Sequence, residues 1–139
     1  MDKKKKYRIL LVEDDLFIRE LYERVLIKEN FDVISAIDGE EGLEKAASVP
    51  DIILLDIMMP KFNGIEILKK LKAHPPTKNI PIVLLTNLGQ ESIVREALKN
   101  GARGYLMKMR LSPYDLAGKV REFLANPHGQ PDYHSLNLD

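Results

Sequence analysis

Five apolar runs punctuate the chain, at 8–12, 31–34, 51–55, 81–85 and 104–107, and between them apolar residues recur at helical spacing. Runs of this kind suit strands buried on both faces of a parallel sheet, and the intervening period suits helices laid against it. Their alternation predicts an α/β fold with five strands and five helices. In the first helical segment Phe17, Leu21, Val25 and Leu26 fall on one stripe, while Arg19, Glu20, Glu23 and Arg24 lie elsewhere. Asp38-Gly39 marks a turn before a helix over 40–47, 60–64 form a loop before a helix over 65–72, and Pro75-Pro76 closes that helix. A fourth helix covers about 92–100, with Gly101 as its stop. The fifth has the sharpest start: Ser112 as cap, Pro113 in the first position, and Asp115 completing a Ser-x-x-Asp pattern.

Right-handed crossovers leave few topologies for such a chain. The doubly wound, flavodoxin-like order 2-1-3-4-5 places the ends of the first and third strands side by side, at the edge where ligands gather in open α/β sheets. Four of the predicted strands end in chemistry. Glu13 and Asp14 follow the first, Asp56 the third, Thr86 the fourth and Lys108 the fifth. Carboxylates crowded together repel unless a cation compensates them, and magnesium suits an all-oxygen set that leaves room for water and a phosphate oxygen. Asp14 and Asp56 are the direct ligands in this reading, Glu13 binds directly or through water, and a backbone carbonyl just after Asp56 supplies a further oxygen. Asp56 is then the nucleophile, since a carboxylate can accept a phosphoryl group as an acyl phosphate. Lys108 and Thr86 balance charge on the phosphoryl oxygens. Asp15 reads as a helix cap.

At 139 residues and 45% hydrophobic composition the chain supports one core, assigned to 7–125, with a basic tail at 1–6 and a flexible or loosely docked tail at 126–139. Twenty-one basic residues balance 21 acidic ones, so no long-range field draws the molecule to nucleic acid or an anionic membrane. Cysteine is absent, which removes disulfides and thiolate sites, and no apolar stretch is long enough to cross a bilayer. A cytoplasmic protein is expected. His74, His128 and His134 fall in turn-like or terminal segments and read as surface.

Taken together, these residues resemble the receiver domains of two-component response regulators, over about 7–124. The resemblance is carried by Ile9-Leu10-Leu11-Val12-Glu13-Asp14-Asp15, Asp38-Gly39-x-Glu41, Leu54-Leu55-Asp56-Ile57-Met58-Met59-Pro60 with Gly64, Leu84-Leu85-Thr86, and Gly101-Ala102 leading to Gly104-Tyr105-Leu106-Met107-Lys108. It implies a stand-alone switch in which a sensor histidine kinase or phosphotransfer protein donates phosphoryl to Asp56. It also implies a magnesium site at Glu13, Asp14, Asp56 and the backbone carbonyl of Met58, and a switch pair of Thr86 and Tyr105. Their movement would remodel the surface of the fourth helix, fifth strand and fifth helix for a downstream protein.

Three departures from the family pattern stand out. Met109 replaces the proline that usually follows the lysine, so the Lys108-Met109 bond is expected trans, because a cis bond without proline costs about 3–4 kcal/mol. Asn87 is larger than the usual small residue. Met58 and Leu88 are apolar where an attacking water would be oriented, which predicts slow hydrolysis of the acyl phosphate. Dimerising transcription-factor receivers often carry acidic residues ahead of the tyrosine, where this chain has Arg103-Gly104, so a monomer or weak dimer is expected. The competing classes are a magnesium phosphohydrolase, a nucleotide-binding flavodoxin-like module and a receiver that works unphosphorylated. The second lacks a glycine-rich phosphate loop, and the first lacks an Asp-x-Asp after its first strand.

Overall fold

The apolar runs pair into one parallel sheet. In the computed structural model, which describes residues 5–59, 61–87 and 89–131, the strands are β1 (Arg8–Val12), β2 (Asp32–Ala36), β3 (Ile52–Asp56), β4 (Ile82–Thr86) and β5 (Gly104–Met107). Their order is β2-β1-β3-β4-β5, as predicted. The helices are α1 (Leu16–Lys28), α2 (Gly39–Ala46), α3 (Gly64–Ala73), α4 (Glu91–Lys99) and α5 (Pro113–Ala125). Pro60, Leu88, His134, residues 1–4 of the basic segment and the stretch 132–139 lie outside the described residues.

Alternation along the strands divides the core into two layers. Leu10, Val12, Ile53, Leu55, Ile82 and Leu84 face α2, α3 and α4, where Leu68, Leu71, Val94 and Leu98 meet them. Ile9, Leu11, Ile52, Leu54, Val83 and Leu85 face α1 and α5, where Tyr22, Leu26, Leu116 and Val120 close the other side. Each fully buried Leu or Ile removes enough apolar surface from water to contribute roughly 1.5–3 kcal/mol. Burial on both faces holds for β1, β3 and β4, whereas β2 and β5 are edge strands with half-exposed positions.

Several element ends shift by one residue from the sequence expectation, and two differences have a local cause. Phe17 is exposed, and the buried stripe of α1 is Ile18, Leu21, Tyr22 and Leu26. The segment carries eight apolar residues between Leu16 and Ile27, enough for more than one stripe, so packing over Ile9 and Leu11 made the choice. The second strand begins at Asp32 rather than 31 because Phe31 belongs to the turn that ends α1: its N–H donates to Leu26 O at 3.1 Å, after Asn30 at φ +69°. A short antiparallel ladder (Met58–Met59 with Phe62–Asn63) and a 3-10 turn (Lys108–Arg110) were also absent from the sequence reading.

Helix starts gather at the carboxyl edge of the sheet. Asp15, Asp38, Asn63 and Ser112 each accept a backbone N–H of the helix that they cap. At the opposite edge Lys5 and Lys6 pair with Asp51 at 3.1 Å and Asp32 at 3.5 Å. Gly101 ends α4 at φ +103°. Gly64 opens α3 so close to the loop after β3 that a Cβ there would lie 2.6 Å from Ile57 O. Gly64→Ala is therefore expected to destabilise the protein by about 1–3 kcal/mol, read by urea denaturation. An unchanged midpoint would show that the loop yields freely.

Candidate functional site

Parallel register decides which side chains meet at the carboxyl edge. Val12 pairs with Leu55, so Glu13, the residue just after β1, stands level with Asp56 at the end of β3. Asp56 pairs in turn with Leu85, which brings Thr86 one step beyond it on β4. Both Glu13 and Asp56 are buried, Asp14 is exposed, and the three acids offer oxygens that all lie within 4.8 Å of one another.

Lys108 reaches this cluster from the end of β5. Its Nζ lies 2.5 Å from Glu13 Oε1 and 3.2 Å from Asp56 Oδ2. Glu13 Oε1 thus meets the ammonium, while Glu13 Oε2 accepts the Asp15 N–H at 3.2 Å. Asp56 Oδ1 accepts the Met58 N–H at 3.1 Å. Asp15 caps α1 through Ile18 N at 2.9 Å, as its position suggested. The peptide bonds of the described residues, Lys108-Met109 included, are trans.

Burial and the neighbouring Glu13 carboxylate push the Asp56 carboxyl up to about 8, against the downward pull of Lys108 and the Met58 N–H. Burial works against the Lys108 ammonium, yet its contacts with Glu13 and Asp56 outweigh this and hold its pKa above the ordinary lysine value. The donor set is all oxygen, and the three acids oppose one another around a single ammonium. Those are the features that a hard divalent cation satisfies.

The other residues singled out from sequence are disposed differently. Thr86 is buried, but its hydroxyl donates to Gln90 Oε1 at 2.7 Å. Tyr105 is half-buried against the layer that contains α4. The Met58 side chain is exposed, although its amide touches Asp56. His74 and His128 are exposed. Gln90 drew no attention in the sequence; its position four residues after the strand-end threonine, just ahead of a helix, was the available signal.

A raised carboxyl pKa couples folding to pH. Between the ordinary value of 3.8 and about 8 the folded protein retains a proton that the unfolded chain has released. Stability from this group is thus present at low pH and lost as pH rises through that window. In divalent-free buffer Asp56→Asn is expected to be more stable than wild type at pH 8, by on the order of 1–2 kcal/mol, with the gap closing toward pH 5. Thermal melts across this range check it, and a variant no more stable than wild type at pH 8 would contradict the assignment.

Known proteins place this geometry. A family model for the response regulator receiver domain matches residues 9–121. The chain is 36% identical over 106 residues to the chemotaxis protein CheY of Treponema pallidum, covering 73% of this chain and 72% of that protein. It is 39% identical over 121 residues to the transcriptional regulatory protein CpxR of Escherichia coli, covering 87% of this chain and half of that longer protein. Among solved structures, chemotaxis protein CheY4 of Vibrio cholerae superposes with a TM-score of 0.78 at 29% identity, over 85% of this chain and 98% of that one. A CheY-like receiver domain protein of Methanospirillum hungatei superposes with the same TM-score at 31% identity, over 87% and 95%. The chain belongs to the response regulator receiver domain family of two-component systems.

Proposed function

We propose that the domain accepts a phosphoryl group on Asp56 from a phosphohistidine of a sensor histidine kinase or phosphotransfer protein, in a Mg2+-dependent reaction, and that the acyl phosphate changes the α4-β5-α5 surface read by a downstream protein. The observation that carries this reading is the convergence of Glu13, Asp14 and Asp56 within 4.8 Å, with the Lys108 ammonium on both buried acids. An Asp56 carboxylate oxygen attacks phosphorus, the P–N bond breaks, and its electron pair returns to the imidazole of the donor. Glu13, Asp14, Asp56 and the Met58 carbonyl would hold the cation, which neutralises the acids and the phosphoryl oxygens when bound. Lys108 favours the ionised Asp56 and then faces the charge on the transferred group.

Thr86 and Tyr105 form the switch in this reading. Thr86 ends the strand beside the acceptor, one residue past the partner of Asp56, and Tyr105 lies on the neighbouring strand, packed against the layer that contains α4. A phosphoryl group that binds one arrangement of this pair better than the other shifts the population toward it. Docking of the kinase finds support in exposed apolar side chains at the same edge: Leu16 and Phe17 at the start of α1, Met58, Met109, and Tyr114 at the start of α5.

Incubation with magnesium and a small phosphodonor is expected to add one phosphoryl group by intact mass, with none on Asp56→Asn or in excess chelator. Repeated turnover of a phosphate ester would favour the phosphohydrolase class instead. Met58→Asn, which places a polar group where water approaches the acyl phosphate, is expected to shorten its lifetime severalfold. An unaltered decay would remove Met58 from any part in phosphoryl lifetime.

A further inference from the structure

The loop between β4 and α4 is closed by the side chain of Gln90. Thr86 Oγ donates to Gln90 Oε1 at 2.7 Å, and the Asn87 N–H donates to the same oxygen at 2.8 Å. Gly89 at φ +85° supplies the tight turn that brings residue 90 back over residue 86. Gln90 occupies the position ahead of the first residue of α4, yet its side chain makes no capping bond to that helix. Each of the other four helices has a side-chain cap. Here the polar group that would cap a helix faces backward, onto the strand end.

We propose that Gln90 is a positioning residue, a latch on Thr86 whose release sets how readily the domain takes up a phosphoryl group. A hydroxyl has one proton. Thr86 cannot donate it to Gln90 and to a phosphoryl oxygen on Asp56 at once, so the Gln90 bond opposes the switched arrangement directly. Because Gln90 adjoins Glu91, opening the latch also frees the start of α4, which links the acceptor to the helix whose surface changes. The alternative acceptor within reach of Thr86 Oγ, Asn87 O at 3.3 Å, is longer, so the latch is a preference of modest size. The inference rests on Asp56 being the phosphoryl acceptor.

The test uses the full chain with magnesium and beryllofluoride, a non-covalent stand-in for the phosphoryl group, titrated by NMR on the Thr86 methyl and the Tyr105 ring. Gln90→Ala deletes the acceptor and is expected to tighten beryllofluoride binding about three- to tenfold, the worth of one net hydrogen bond. Gln90→Glu keeps both bonds and makes them charge-assisted, so it is expected to weaken binding by a similar factor. Titration of each variant with Mg2+ alone reports the effect of the added charge, which is subtracted. A merely structural side chain would lower thermal stability in both variants without shifting affinity in opposite directions. Shifts of the same sign, or affinities equal to wild type, overturn the latch. Wild type that takes up no beryllofluoride, or Asp56→Asn that takes up as much, overturns the Asp56 assignment itself and the latch with it.

Discussion

Two carboxylates forced out of water side by side form the constraint around which this molecule is organised. Glu13 and Asp56 sit at the ends of adjacent strands, level with each other and both buried. Their repulsion in a medium less polarisable than water is relieved by one ammonium, Lys108, which is delivered from two strands away. With Asp14 included, three carboxylates face one ammonium, a residue of two negative charges when all are ionised. Such a pocket is a poor structural ion pair and a good receptacle for a cation.

The apolar layers supply what this arrangement costs. β1, β3 and β4 are buried on both faces, so the strands that carry Glu13, Asp56 and Thr86 are the least free to move. Four of the five helices begin at the same edge under side-chain caps that fix the loops around the acids. The remaining one, α4, starts without such a cap, and the Gln90 side chain ahead of it accepts from Thr86 instead. Side-chain caps therefore hold the helix starts beside the acids, whereas the loop before α4 is held by a bond to the strand end.

Much of this could be read before any coordinates existed. Strand-length apolar runs, a cap at Ser112, the stop at Gly101 and the strand-end residues Glu13, Asp14, Asp56, Thr86 and Lys108 are local signals, legible because hydrophobic period and turn chemistry act over a few residues. The strand order followed from handedness and the expected topology. Errors arose where the segment was locally degenerate. The start of α1 carries apolar side chains on several sides, and the expected stripe took in Phe17, which is exposed, and left out Tyr22, which is buried.

What the chain determined on its own was therefore the alternation of strands and helices and the presence of acid, hydroxyl and amine at the carboxyl ends of strands. Burial, distance and partner choice came only with tertiary structure, because they depend on register between strands far apart in sequence. Nothing local states that Glu13 is buried while Asp14 is exposed, that Lys108 bridges Glu13 and Asp56, or that the Thr86 hydroxyl turns to Gln90. A residue's type is a local property, whereas its pKa and its hydrogen-bond partner belong to the surroundings that the fold assembles.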